Sequence, residues 1–419
     1  MKSNKKTKYI VFPAITILMS LVYTGHLLFS DKNNLNLSNK DKNTYIAYPA
    51  NSINPSTANI TANTEGKHYS DKIGTMESEN NNKDGDNINT LQYILHEAFN
   101  EEIGGYIQKI NLITIKPDSR VSVKPALSHG SIFGFEKLKS IAERYGAYGA
   151  VNGGFFYEYG QPAGLVVIDG RIISGTEGKY PVFLYNGKSA RLEQKELKLW
   201  IECGENKIIL DNINTLGLPG KAIVYTRDFA PDNRADISNI SIVIKDNKIT
   251  DVIKTEGKTE IPKEGMVVTL YEPLDESINI DWLKPGSDAV FKSFPEFSAN
   301  DSAYECGSWI VRNNQIVAPE RDEWVGILTT KDPRTAVGIK DNGDVVFITV
   351  DGRQPGYSMG VTARELGEYL MAQGVSNAAM LDGGASTEMI INGITVNRPS
   401  NNGEGRPLGG GIIINIIDS

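Results

Sequence analysis

The stretch TARELGEYLMAQGVSNAAMLDGG, from Thr362 to Gly384, holds the order of elements on which the fold turns. Thr362 followed three residues later by Glu365 is a capping-box pattern that opens a helix. Leu366, Tyr369 and Leu370 give that helix an apolar face, Gly374 stops it, and residues 378–381 form a short apolar strand running into Asp382-Gly383-Gly384. The same order is written earlier: Phe135, Leu138, Ile141, Ala142 and Tyr145 mark a helix ending at Gly146, and a strand over 147–151 runs into Asn152-Gly153-Gly154. Each copy places a polar side chain at a strand end, before two residues that accept positive φ or admit a ligand to the backbone. A tight turn accounts for either motif alone. Two copies after matching helix-strand units point to one shared cleft.

Working outward, short apolar runs at 164–168, 182–185, 207–210, 222–226, 240–244, 266–271, 309–311, 335–339, 345–350 and 412–417 predict strands. Asp169-Gly170, Asn186-Gly187, Asn313-Asn314 and Asn342-Gly343 supply the turns between several of them. Leu91, Ile94, Leu95 and Phe99 recur at helical spacing and predict a helix over 91–99, followed by strands at 106–115 and 121–123. The expectation is a strand-dominated α+β fold with few packed helices, one large body over residues 90–419.

Ahead of that body, four lysines precede a nearly uninterrupted apolar run, Tyr9–Phe29. At about 1.5 Å per residue the run spans roughly 30 Å, the thickness of a bilayer core. Lysines before it and Asp31 after it set the N-terminus inside and the body outside. A cleaved signal peptide is the rival, but residues 24–30 offer no clean small-x-small site, which favours a retained single-pass anchor. Both readings export the body. Residues 31–89, rich in Asn, Lys, Ser, Thr and Asp without apolar periodicity, read as a flexible extracytoplasmic tether.

Composition narrows the chemistry. The chain has 419 residues, 40% of them hydrophobic, with 43 Lys and Arg against 51 Asp and Glu for a formal charge of −8. That balance offers no basic footprint for nucleic acid. With four His, two Cys and no HExxH or CxxC motif, zinc hydrolysis and thiol redox chemistry are disfavoured. The work falls to carboxylates, arginines, amides and hydroxyls.

Arg334, in Asp332-Pro333-Arg334-Thr335, and Arg353, in Asp351-Gly352-Arg353, are the candidate phosphate binders, because a guanidinium offers paired donors and stays charged. A salt bridge, such as Arg334 with Asp332, accounts for either equally well. Asp351 and Asp382 are candidate catalytic carboxylates at strand ends, and Glu365 is a third, although helix capping explains it more simply. Asn152, Gly153, Gly154, Gly383, Gly384 and Ser386 are candidate substrate contacts. A Ser-His-Asp triad on Ser386 would need His96 or His129 and lacks a nucleophile elbow. Arg398 and Arg406 stand in polar loops before the last strand, either solvated or within reach of a phosphate. Calcium or magnesium at the Asp351 and Asp382 turns is a further option, since hard cations favour carboxylates. A disulfide between Cys203 and Cys306 stays open in an exported chain.

Six ordered motifs carry a family resemblance: Ala150-Val151-Asn152-Gly153-Gly154-Phe155-Phe156, Pro333-Arg334-Thr335-Ala336-Val337-Gly338, Asp351-Gly352-Arg353, Thr362-Ala363-Arg364-Glu365-Leu366, Leu381-Asp382-Gly383-Gly384-Ala385-Ser386 and Asn397-Arg398-Pro399-Ser400. From about residue 106 to 417 the chain resembles the phosphodiester glycosidase domain, named for the enzyme that uncovers mannose 6-phosphate by removing N-acetylglucosamine from a phosphodiester. It departs from the pattern at Gly383-Gly384-Ala385-Ser386, at Cys306-Gly307-Ser308-Trp309 and in a loop enlarged around residues 403–406. The resemblance implies a hydrolase acting on a sugar-1-phosphodiester, here in a glycan or sugar-phosphate polymer of a cell wall or exopolysaccharide. Its leaving group is a phosphate monoester, which needs little general acid. Asp351 or Asp382 would then serve as base or nucleophile, and Arg334 and Arg353 would hold the phosphate. The alternative is a non-catalytic module binding phosphate-containing wall polymers.

Overall fold

The computed structural model describes residues 8–10, 93–274 and 280–417. By contacts the chain divides into two compact units, one containing 198–293 together with 8–10, the other containing the described residues on either side, up to 197 and from 294. The expected single body over 90–419 thus has a middle portion that is compact in its own right.

In the unit carrying the candidate residues, one sheet has seven strands, in the order Ile94–Ile103, Tyr106–Ile115, Val345–Val350, Arg334–Lys340, Val375–Met380, Trp309–Arg312 and Gln315–Ile316. Every neighbouring pair is antiparallel. A second, five-stranded sheet runs Ile394–Thr395, Met389–Ile391, Gly149–Asn152, Gly410–Ile416 and Val121–Leu127. A third contains Ala190–Glu193, Val182–Tyr185, Ser302–Glu305, Val166–Ile168 and Arg171–Ser174.

The two helices of the repeated pattern each cover a sheet. Helix Ala363–Ala372 turns Ala363, Leu366 and Leu370 onto Ile310, Val311, Ala378 and Met380. Helix Leu138–Arg144 buries Leu138, Ile141 and Ala142 against Ala126, Ala150, Ile390 and Ile413. Full burial of a Leu or Ile is worth about 1.5–3 kcal/mol, so these stripes fix each helix over the strand that follows it in sequence.

The helix expected over 91–99 is corrected. From residue 94 that segment is the edge strand Ile94–Ile103, hairpinned onto Tyr106–Ile115. Gly104 and Gly105 form its turn with φ of 60° and 81°, the positive values that a two-residue hairpin loop favours. Ten cross-strand pairs outweigh a helical spacing built on four apolar residues.

The other unit holds a five-stranded sheet in the order Asn212–Ile213, Ala222–Tyr225, Met266–Tyr271, Asn239–Lys245 and Lys248–Thr255. Within the same unit, Lys8–Ile10 pairs in parallel with Asn206, Lys207 and Ile208. Of the expected anchor Tyr9–Phe29 only residues 9 and 10 are described, and the rest, with the tether over 31–89, lies outside the described residues. No helix among the described residues is long and apolar enough to cross a membrane. Cys203 and Cys306 are buried free thiols; burial pushes Cys203 up to about 11.

Candidate active site

The two Gly-Gly turns meet. The Asp382 N–H donates to the Gly153 carbonyl at 3.1 Å, and Asn152 Nδ2 donates to the Asp382 carbonyl at 2.6 Å. Asn152 Oδ1 accepts from Thr335 Oγ1 at 2.8 Å and from the Glu388 N–H at 3.2 Å. Asn152 is therefore a buried tie between the seven-stranded and five-stranded sheets, its amide engaged by protein rather than presented to a substrate. Glycine is required beside it by close approach: a Cβ on Gly153 would lie 2.5 Å from the Tyr304 hydroxyl. Burial, and next to it the Asp382 charge, raise the Tyr304 hydroxyl above its ordinary pKa.

Asp382 stands at the edge of this junction with its side chain 16% exposed. Its Oδ2 accepts from Ser386 Oγ and from Arg406 Nη2, the latter at 3.2 Å, while Arg406 Nε donates to Ser386 Oγ at 2.8 Å. Loss of water raises the Asp382 carboxyl above the usual carboxylate range, against the pull of Arg406 and Ser386. Ser386 is buried and bonds this carboxylate and Arg406; His96 bonds Asn111 and His129 bonds the Phe135 carbonyl. The triad geometry is not formed.

The two arginines differ. Arg334 is 1% exposed and donates to the Val361 carbonyl at 3.1 Å and the Thr330 carbonyl at 3.0 Å, with Asp332 Oδ2 at 3.6 Å. Burial lowers its pKa, Asp332 opposing and Arg353 adding to the shift. Arg353 has a 53% exposed side chain and, among the described residues, spends only Nε, on Asp332 Oδ1 at 2.9 Å. A Cβ on Gly384 would meet its Nη1 and Nη2 at 3.2 Å, so the guanidinium lies against that glycine. Arg353 takes a φ of 60°, sparsely populated for any residue with a side chain and common at ligand-binding positions.

Asp351 and Glu365 have other occupations. Asp351 is 1% exposed; Oδ1 accepts from Asn397 Nδ2 at 2.9 Å, and Oδ2 accepts from the Arg398 N–H at 2.9 Å and the Tyr357 hydroxyl at 3.3 Å. Burial raises its carboxyl, with those donors opposing. It is a loop hub, without an edge open to a substrate. Glu365 Oε2 accepts from the Thr362 N–H at 2.9 Å and Oε1 from Lys331 at 2.7 Å, so capping and an ion pair account for both oxygens. Among the described residues no group of three or more His, Cys, Asp and Glu is disposed to hold a metal ion.

The structure thus joins Asn152, Gly153, Gly154, Asp382, Gly383, Gly384, Ser386 and Arg353 around one junction, with Arg334 beneath and Glu365 engaged at its helix cap. The sequence suggested Asp332 as a salt-bridge partner of Arg334, and the structure has it between both arginines; Tyr304, which seats the first turn, was overlooked. Nothing local in the sequence marked Tyr304. Phe155, next after that turn, stacks on Trp324 with centroids 5.3 Å apart and planes at 7°.

A largely buried carboxylate and a half-exposed guanidinium thus lie at one glycine turn. Residues 238–415 match the family model for phosphodiester glycosidase, so the resemblance to that family is shown. The match takes in five of the six motifs; Ala150 to Phe156 precedes it. The uncharacterized SPbeta prophage-derived protein YomE of Bacillus subtilis is 33% identical over 99 residues, 24% of this chain and 15% of that protein. The N-acetylglucosamine-1-phosphodiester alpha-N-acetylglucosaminidase of Bos taurus is 33% identical over 106 residues, 22% of this chain and 19% of the relative. The aligned stretches therefore span less than a fifth of those relatives' length. A crystal structure of a hypothetical protein from Synechocystis superposes with a TM-score of 0.66 at 20% identity, covering 78% of this chain and 62% of that one, which shows the fold.

Proposed function

We propose that this chain is an exported, membrane-tethered hydrolase that cleaves glycosyl-phosphodiester linkages in cell-wall or exopolysaccharide glycans. The observation carrying the reading is the flanking of Gly383-Gly384 by Asp382 on one side and, on the other, by the two Arg353 nitrogens that have no hydrogen-bond partner among the described residues. In a sugar-1-phosphodiester, the bond from the anomeric carbon to the phosphate oxygen breaks and the phosphate monoester leaves with the electron pair. Arg353 meets that growing charge through paired donors, and buried Arg334 adds positive potential beneath. Asp382 either takes the proton of an attacking water or attacks the anomeric carbon itself; inversion or retention in the product tells which. The Phe155 and Trp324 rings offer an apolar wall for a sugar face.

Incubating the full chain with a sugar-1-phosphodiester tests the reading. Release of reducing sugar and phosphate monoester by the wild type, lost in Asp382→Asn, supports it. Saturable binding without product would replace it with the binding-module reading.

A further inference from the structure

Asp351 is buried with both carboxylate oxygens bonded, and it organises the surface next to Arg353. Its carboxylate holds the Arg398 N–H and the Tyr357 hydroxyl, and its own N–H donates to the Lys109 carbonyl at 2.9 Å. Gln354, the residue after Arg353, donates from Nε2 to the Arg398 carbonyl at 2.9 Å, and the Lys109 N–H donates to Ser358 Oγ at 3.1 Å. Three segments bearing Arg353, Arg398 and Lys109 are thereby fastened around one buried carboxylate.

The side chains of the outer two converge on Tyr357. The Arg398 guanidinium lies 5.1 Å and the Lys109 ammonium 5.5 Å from the centroid of that ring. Among the described residues neither cation forms an ion pair; Lys109 Nζ donates to the neutral Asn100 Oδ1 at 2.7 Å. Two cations at one ring without a contact ion pair, Arg398 also feeling the buried Asp351 charge, make a local positive site in a chain of formal charge −8.

We infer that Arg398 and Lys109, gathered over Tyr357 beside Arg353, form a second anion subsite that takes the neighbouring phosphate of a glycan in which phosphodiesters repeat. The inference rests on the proposed cleavage reaction and specifies its substrate: a polyanionic chain rather than an isolated sugar phosphodiester. The outer cations would bind the same group that the inner arginine meets at the scissile bond, one repeat along.

The test compares kcat/KM of the full chain on two substrates of the same sugar, a monomer with one phosphodiester and an oligomer with several, at low and moderate salt. The oligomer should be preferred by about tenfold at low salt, and the preference should shrink as salt screens exposed charges. Lys109→Ala with Arg398→Ala should erase the preference through KM while monomer kcat/KM stays within about twofold. Arg398→Lys should keep most of the preference, which separates charge from mere loop support. A double variant that keeps the preference, or loses monomer and oligomer cleavage alike, overturns the subsite. So does an oligonucleotide that inhibits as strongly as the glycan oligomer, since it shows only general polyanion attraction. Monomer cleavage without oligomer preference defeats this inference alone; cleavage of neither substrate defeats the proposed reaction and this inference with it.

Discussion

Asp382 carries its carboxylate where burial resists the charge and Arg406 supports it, and the balance has a measurable sign. The ionised form is the one that accepts a proton or attacks carbon, so activity should rise with pH as Asp382 deprotonates. Burial raises its carboxyl, so the acid limb of kcat/KM should lie above the ordinary carboxylate value of about 4. Arg406→Ala removes the opposing positive charge and should move that limb to still higher pH, read from pH-rate profiles of the two proteins. Asp382→Asn should lower kcat/KM by at least about 10³-fold with an unchanged circular dichroism spectrum. The arginines should separate by type of damage. Arg353→Ala, at a half-exposed side chain, should reduce kcat/KM about 10²-fold while changing stability by less than about 1 kcal/mol. Arg334→Ala leaves the Thr330 and Val361 carbonyls without their donor and Asp332 without its buried neighbour, so it should also destabilise by about 3 kcal/mol in urea melts. From sequence alone both arginines read as equivalent phosphate binders. Their difference is burial, which Asp332-Pro333-Arg334 and Asp351-Gly352-Arg353 do not encode locally.

At the scale of elements, the cap at Thr362 is where sequence and structure agree most closely. Thr362 Oγ1 accepts from the Glu365 N–H at 3.1 Å while the Glu365 carboxylate returns to the Thr362 N–H, the reciprocal box that the spacing implied. Burial opposes the Glu365 charge, but Lys331 and the cap together hold its carboxyl below the ordinary value. A depressed carboxylate contributes stability that is present above its unfolded pKa and lost as pH falls through the folded one. Thr362→Ala should therefore cost about 1 kcal/mol near neutral pH, seen as a lower melting temperature, and the deficit should shrink in acid as Glu365 protonates. Glu365→Gln should keep near wild-type kcat/KM, because neither oxygen is left for a substrate. Both Gly-Gly turns and several strands, Val182–Tyr185, Met266–Tyr271 and Val345–Val350 among them, were legible because apolar runs between turn residues report local constraints. The edge strand Ile94–Ile103 was not, since apolar residues at 91, 94, 95 and 99 fit a helix as well as a hairpin until Gly104-Gly105 is read as its turn. The bonding of Asp351 was not legible for a related reason: its partners Asn397 and Arg398 lie 46 and 47 residues away, beyond any local pattern.

For the whole molecule, the N-terminal run sets up two exclusive arrangements. Lys8–Ile10 pairs with residues 206–208 of the unit around 198–293, whereas a membrane-spanning Tyr9–Phe29 would place residues 9 and 10 at the opposite face of the bilayer from an exported body. An inserted run cannot keep that pairing. We propose insertion on sequence grounds: about twenty apolar residues match a hydrocarbon core, and four lysines ahead of them would hold the N-terminus on the cytoplasmic side. Loss of three short backbone pairings is a small penalty beside transfer of such a run out of water. The full chain should therefore stay with membranes through alkaline carbonate extraction, and added protease should reach the body in intact cells. Replacing Lys2, Lys5, Lys6 and Lys8 by Glu should weaken that orientation and shield part of the population from protease. Full release by carbonate, with the chain uncleaved, would instead favour the strand pairing, because peripheral association does not survive the extraction and a spanning run does.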